Sequence, residues 1–271
     1  MKELNQIILS TNEDPIYCEF WKPVAWAYSQ MFKNDGVTVH LAFLTNRSED
    51  DPVVQDYRKY GKVTLFRPIP SLPEFGQAKM IRFILAAQQQ SDVCYVDDID
   101  LFPLSKEFIM SKLQKRPKDT LLCVGGEVYR NNGCYPVSQM TAEGYVWNKF
   151  INPNNLPYEQ YINSLIRPHM YDRREDIRLL PDFAKDLYFS DERLIRRLTT
   201  DHPVPKFEHV RGYDHYLDST VDRINGIIDI NKLKQHKYVN GHFNRPYSRS
   251  KEQYRLLLDY IQDTYGGTYE D

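Results

Sequence analysis

The sequence lacks the features that mark several large classes of protein. Its 271 residues include only four cysteines. None of them forms a Cys-x-x-Cys pair, so neither a disulfide framework nor a zinc site is indicated. No apolar run approaches the roughly 20 residues that span a bilayer, and the N-terminal stretch turns polar too early for a signal peptide. We therefore expect no transmembrane segment and a cytoplasmic location.

An excess of charge of one sign is also missing. The net charge is −2, which gives no support for a nucleic-acid partner. Neither a Walker phosphate loop nor a Gly-x-Gly-x-x-Gly motif occurs, which weakens the interpretation as a nucleotide kinase or a dinucleotide oxidoreductase. What is present is an ordinary globular composition, with 41% hydrophobic and 27% charged residues.

Short apolar runs alternate with helical segments through the first half of the chain. Strands are predicted at 6–11, 37–45, 62–68, 92–96 and 120–126, and helices near 17–33, 53–61 and 75–90. This order is typical of an α/β fold with a mainly parallel sheet and helices on both faces, and ligands bind beyond the carboxyl ends of such strands. The second half has less alternation, with a helix start at 190–198 and a closing helix at 251–262.

Three aspartates follow the predicted strand 92–96 directly, in the stretch "CYVDDIDLFPL". If the strand continues, Asp98 and Asp100 lie on one side of it and Ile99 points the other way into the fold. Carboxylates this close suit a hard divalent cation such as Mn²⁺ or Mg²⁺. Asp97 is a candidate to contact a ribose or a metal-bound water. The alternative is a solvated turn whose aspartates cap the backbone.

The stretch "SDVCYVDDIDLFPL" resembles the Asp-x-Asp strand of GT-A glycosyltransferases, which hold the diphosphate of a sugar nucleotide with a metal ion. Three further segments resemble this family in the expected order: "QIILSTNED", "FGQAKMIRFILAAQ" and "YVNGHFNRPYS". The last one departs from glycogenin-like enzymes, because Arg-Pro-Tyr stands where they have Lys-Pro-Trp.

The resemblance implies a GT-A fold, with a Rossmann-like central sheet, in one domain, 1–271. Its first half, 1–126, would bind the nucleotide sugar, and 127–271 would bind the acceptor and add the closing helix. The resemblance also implies roles for particular residues. The metal ligands would be Asp98, Asp100 and His242, and the donor contacts would come from Ser10, Thr11, Asn12, Lys79, Arg82, Asp97, Asp98 and Arg245.

Lys79 and Arg82 are three positions apart, so they share one helix face, where a solvated basic surface is the plain alternative. His236 competes with His242, but we interpret it as a solvated residue of a basic turn.

Asp191 and Glu192 are the candidate catalytic residues. In an inverting enzyme one of them would accept the proton of the attacking hydroxyl. Both are equally explained as first-turn carboxylates stabilised by a helix dipole, and a retaining enzyme would need no such base.

The predicted function is transfer of a hexose or deoxyhexose from a UDP- or GDP-sugar to a hydroxyl group of a carbohydrate or glycoconjugate. Two alternative functions remain open. Clustered aspartates also serve two-metal phosphodiesterases, which need further ligands for a second ion about 4 Å away. The other rival is a non-catalytic binder of nucleotide sugars on the same fold.

Overall fold

A computed structural model describes residues 4–124, 137–171, 191, 195, 207–210, 220–221, 227–242 and 244–270. Its strands, in chain order, are β1 (Gln6–Thr11), β2 (Thr38–Leu44), β3 (Lys62–Phe66), β4 (Val93–Val96), β5 (Leu101–Pro103), β6 (Leu121–Val124), β7 (Met140–Glu143), β8 (Phe207–Val210), β9 (Thr220–Val221) and β10 (Asn240–His242). A seven-stranded sheet has the order β3-β2-β1-β4-β7-β6-β8, and a three-stranded sheet has the order β5-β10-β9.

The helices of the described residues cover both faces of the larger sheet. They are α1 (Pro15–Cys18), α2 (Trp21–Met31), α3 (Pro52–Arg58), α4 (Glu74–Gln88), α5 (Lys106–Lys115), α6 (Gly144–Ile151), α7 (Tyr158–Tyr171), α8 (Ile230–Lys234) and α9 (Lys251–Tyr265). In β1, Ile7 and Leu9 join the core on the side of α2 and α9, whereas Ile8 joins the core on the side of α4, α6 and α7. This alternation follows from the period of two in a strand. No helix in these ranges is long and apolar enough to cross a membrane.

The five strands predicted from apolar runs are all present, and β3, β2, β1 and β4 run parallel as expected. The predicted helix at 17–33 is divided into α1 and α2. The prediction missed β5, β7, β8, β9 and β10, which are two to four residues long. Of these, β7 runs antiparallel between β4 and β6. Strands this short carry too little alternation to be recognised in a sequence.

The expectation that the aspartates continue an extended strand is wrong. In the larger sheet, β4 ends at Val96. The Leu101 N–H then donates to the Asp98 carbonyl at 3.2 Å, which closes a turn. Leu101 then begins β5 in the smaller sheet. The side chains of Ile99, Leu101 and Phe102 are buried, so the chain turns at this point to bring all three into the core.

Candidate active site

The turn 97–100 lies at the carboxyl end of β4, beside the end of β1. The Asp97 N–H donates to the Ile8 carbonyl of β1 at 3.1 Å. The side chains of the three aspartates contact different partners, and these partners come from distant parts of the chain. We define the aspartate turn as residues 97–100.

Asp98 and Asp191 share a buried cation. Arg82 of α4 donates through Nη1 to the Asp98 carboxylate and, at 3.0 Å, to the Asp97 carbonyl, and through Nη2 to Asp191 Oδ2 at 3.1 Å. Lys79 Nζ lies 3.6 Å from Asp191 Oδ1. Burial favours a lower pKa for Arg82, but the carboxylates of Asp98 and Asp191 raise it above its ordinary value. Arg82 therefore remains charged.

Asp100 is bound from the opposite end of the sequence. The antiparallel pairing of β10 with β5 sets His242 opposite Leu101, and this register brings His242 Nε2 to 3.0 Å from Asp100 Oδ2. Arg245 also donates to Asp100 Oδ2. The Arg245 guanidinium lies 4.7 Å from the centre of the Tyr17 ring and donates to its hydroxyl at 2.8 Å. Tyr17 is a member of this group that the sequence did not indicate.

Asp97 is directed into the protein. Its Oδ2 accepts from the Tyr28 hydroxyl at 2.6 Å, and its Oδ1 accepts from the backbone N–H groups of Asp98 and Gln139 at 2.9 and 3.2 Å. Burial raises the pKa of Asp97 to about 8, because a charge there has lost its water. Tyr28 and Gln139 were not singled out in the sequence.

The predicted nucleoside contacts, Ser10, Thr11 and Asn12, are at the carboxyl end of β1, and all three are buried. Asn12 Oδ1 accepts from the Asp14 N–H at 3.3 Å. Beyond them, Glu13 receives hydrogen bonds from the Thr45 hydroxyl and, at 3.0 Å, from Arg47 Nε. Thr45 and Arg47 follow β2, so two neighbouring strand ends are joined by these contacts.

The remaining candidates are Asp191, Glu192 and His236. Asp191 is helical and buried, whereas Glu192 lies outside the residues that the structure describes. His236 Nδ1 lies 2.6 Å from the Tyr260 hydroxyl of α9. That contact gives His236 a structural partner away from the aspartate turn, so we keep His242 as the candidate ligand.

The predicted metal ligands offer carboxylate oxygens and an imidazole nitrogen, a set that Mn²⁺ accepts and Mg²⁺ accepts in part. Asp100 and His242 are in direct contact, and the Asp98 side chain is 39% exposed beside Arg82. Among the described residues, no three His, Cys, Asp or Glu side chains are grouped so that they could hold a metal ion. The ligand atoms therefore suit such a metal ion. In the observed arrangement, however, Arg82 contacts Asp98 and Arg245 contacts Asp100.

The sequence matches no protein-family model and no curated protein. The structure is similar to that of the galactosyltransferase LgtC in complex with donor and acceptor sugar analogues, with a TM-score of 0.52, 10% identity and 98% of each chain covered. It is similar to the glycosyltransferase GlyE of Streptococcus pneumoniae, with a TM-score of 0.50 and 9% identity. The match to GlyE covers all of this chain but 66% of that one.

A second LgtC structure, an active-site mutant, has a TM-score of 0.50 and 10% identity to this chain, with 94% of this chain and 95% of that chain covered. At these identities the likeness shows the fold. The chain has the GT-A glycosyltransferase fold that was expected from its aspartate stretch.

Proposed function

We propose that this protein is a glycosyltransferase that moves a sugar from a nucleotide-diphospho-sugar to a hydroxyl group of a carbohydrate or glycoconjugate. The observation that carries the proposal is the contact of His242 and Arg245 with Asp100, two residues after Asp98, at the carboxyl edge of the sheet. This edge is where ligands bind in open α/β sheets. The fold shared with LgtC and GlyE supports the same class of reaction.

The cations of the site would divide into two kinds. Arg82 is buried and uses its guanidinium on protein oxygens, so we assign it to holding Asp98 and Asp191. The Lys79 and Arg245 side chains are 25% and 17% exposed. We assign these two to the diphosphate, whose charge they would balance as it leaves the sugar.

Asp98, Asp100 and His242 would hold the metal ion, with Mn²⁺ preferred because one ligand is an imidazole. When bound, such an ion supplies Lewis-acid stabilisation to the departing diphosphate. The chain's own contribution is to keep Asp100 oriented through His242 and Arg245. Thr11 and Asn12 would contact the nucleoside beyond them.

Asp191 is the candidate general base if the reaction inverts the sugar configuration. Its Oδ2 is occupied by Arg82, but its Oδ1 is buried without a hydrogen bond among the described residues. We assign Oδ1 to the proton of the acceptor hydroxyl, with Lys79 at 3.6 Å to stabilise the carboxylate. If the reaction retains configuration, Asp191 has only the task of fixing Lys79 and Arg82.

A panel of nucleotide sugars, each measured with and without Mn²⁺, tests the proposal. We expect one donor to raise the melting temperature only when Mn²⁺ is present, and Asp100→Ala to lose this response. With that donor and an acceptor, the enzyme should release a nucleoside diphosphate.

Stabilisation by no donor would refute the proposal. Cleavage of a phosphodiester without sugar transfer would identify the phosphodiesterase instead. Donor binding without turnover on any acceptor would identify a binder.

A further inference from the structure

Asp97 belongs to the aspartate turn in sequence, yet its side chain has a different environment from those of its neighbours. Its residue surface is 1% exposed, whereas the Asp98 side chain is 39% exposed. Both Asp97 oxygens are occupied by protein donors, two on Oδ1 and one on Oδ2. This leaves little capacity for a ribose hydroxyl or a bound water.

The three donors to Asp97 come from three parts of the fold. The Tyr28 hydroxyl belongs to α2, and the Asp98 N–H belongs to the aspartate turn. Gln139, whose N–H is the third donor, is the residue directly before β7. Gln139 has a φ of 58°, in the left-handed region that costs energy for a residue with a side chain. Such a conformation persists where its surroundings fix it, and the hydrogen bond from Gln139 to Asp97 is one such contact.

Asp97 is also held through its backbone. Arg82 Nη1 donates to the Asp97 carbonyl at 3.0 Å, while the Asp97 N–H donates to Ile8 at 3.1 Å. The side chain, the carbonyl and the N–H of one residue are therefore all fixed by different elements. The peptide that follows carries Asp98, so the direction of the Asp98 side chain depends on these contacts.

We propose that Asp97 is a positioning residue, which fixes the aspartate turn so that Asp98 and Asp100 face the donor, and that it does not contact the donor itself. This proposal rests on the proposed glycosyltransferase function. It replaces the expectation that Asp97 contacts the ribose or a metal-bound water. The carboxylate acts through the Asp98 N–H and through Gln139, not on the reacting atoms.

Two substitutions of Asp97 separate positioning from ligand contact. Asp97→Asn keeps Oδ1 for the two backbone N–H groups, and its Nδ2 can donate to the Tyr28 hydroxyl. Asp97→Ala removes all three hydrogen bonds. We expect the Asn variant to retain donor KM and kcat within about threefold, and the Ala variant to lose about tenfold or more in kcat/KM. Tyr28→Phe removes one bond from outside the turn, and we expect an intermediate loss.

The opposite result would show that Asp97 contacts a ligand. If the negative charge of Asp97 served a ribose or metal-bound water, the Asn variant would raise donor KM as much as the Ala variant, and Tyr28→Phe would leave donor KM unchanged. Equal melting temperatures for the wild type and the Asn variant would then exclude misfolding as the reason. That pattern would overturn the positioning role.

Amide hydrogen exchange, followed by NMR without any donor, gives a second measurement that does not depend on catalysis. We expect the amides of Asp98 and Gln139 to be protected in the wild type and in Asp97→Asn, and to exchange faster in Asp97→Ala. Equal exchange in all three proteins would refute the positioning role. If the wild type bound no donor but showed the expected exchange pattern, the proposed function would fail while the anchoring of the turn by Asp97 would stand.

Discussion

The two edges of the seven-stranded sheet both bury polar side chains, but they satisfy them differently. At the amino edge, where β1 and β2 begin, the Gln6 amide donates to Asp92 at 2.8 Å, and its oxygen lies 3.2 Å from His40 Nδ1. His40 Nε2 lies 2.8 Å from the Thr64 hydroxyl. Because Gln6 Oε1 can only accept, Nδ1 carries the proton and Nε2 accepts from Thr64.

The carboxyl edge has no such closed chain among the residues that the structure describes. Asp98, Asp100 and Asp191 share Arg82, Arg245 and Lys79, and several of these groups are partly exposed. Polar side chains that hydrogen-bond to one another, as at the amino edge, need no ligand. Carboxylates and cations concentrated at a partly open edge are typical of a functional site. The comparison predicts that equivalent changes at the two edges will have similar effects on stability and different effects on transfer.

The largest effect on stability is expected from the two buried arginines. Arg82→Met removes the buried cation that Asp98 and Asp191 share, and Arg116→Met at the amino edge removes the arginine that pairs with Glu143. Each change should lower the free energy of unfolding by about 3–5 kcal/mol, because it removes one partner of a buried ion pair. Urea unfolding measures both values.

Donor binding then distinguishes the two variants. We expect Arg82→Met to abolish stabilisation by the donor, and Arg116→Met to retain it in the folded fraction at low temperature. Loss of donor binding in both variants would show that the two edges are not functionally separate.

The edges also differ in how far the sequence could predict them. Apolar runs identify β1 to β4 because a buried parallel strand is apolar on both faces. The contacts of Asp100 with His242 and Arg245 span 142 and 145 positions. They depend on the register of β10 with β5, and nothing in either short segment specifies that register. The resemblance to a known family, and not the pattern, suggested His242.

Burial of charged residues was equally hard to predict. Arg82 was expected to contact the donor diphosphate from a helix face that it shares with Lys79. In the structure α4 is covered on nearly every side, including the positions on both sides of Arg82, so Arg82 becomes internal. Asp97 was expected to face a ligand for the same reason, since a charged residue after a strand usually remains solvated. Asp191, which pairs with Arg82, is 109 positions away, and Tyr28, which donates to Asp97, is 69 positions away. The burial of these residues therefore could not be inferred locally.

The next largest effect is expected from a single carboxylate at the carboxyl edge. Asp100→Asn keeps the shape of the side chain but removes the charge that faces His242 and Arg245. We expect the rate of nucleoside diphosphate release to fall about 100-fold or more, which corresponds to the loss of a strong electrostatic contact.

Asp92→Asn is the matched control, because Asp92 accepts one hydrogen bond from Gln6 at the amino edge. It should keep the rate within about twofold, since an amide oxygen can accept the same bond. Equal loss in the two variants would contradict the assignment of the site to one edge.

A smaller effect is expected from the pH dependence of the amino edge. Burial lowers the pKa of His40 from 6.5 to about 4. The unfolded chain therefore binds the proton first as the pH falls below 6.5, and the free energy of unfolding should decrease toward pH 4. Above pH 6.5 this contribution to stability is fully present. Between pH 7 and pH 5 the loss is about 2 kcal/mol.

Urea unfolding across this pH range gives the free energy of unfolding of the wild type and of His40→Gln. The difference between the two values is the measurement, because other groups titrate in both proteins. The difference should change with pH, while donor affinity at pH 7 remains the same in both. A difference that is constant with pH would show that His40 titrates at its ordinary pKa in the folded protein.

The smallest effect tests the comparison with the same substitution at each edge. Thr64→Val removes the hydroxyl that faces His40 Nε2, and Thr45→Val removes the hydroxyl that donates to Glu13. Thr64→Val leaves the buried His40 ring without this donor and should cost about 1 kcal/mol of unfolding free energy. Thr45→Val should cost less, because Glu13 is exposed and keeps its hydrogen bond from Arg47. Only Thr45→Val should raise donor KM, by about threefold, because Glu13 adjoins the predicted nucleoside contact Asn12. An unchanged KM in Thr45→Val would restrict the donor site to the aspartate turn, and a raised KM in Thr64→Val would show that the amino edge contributes to it.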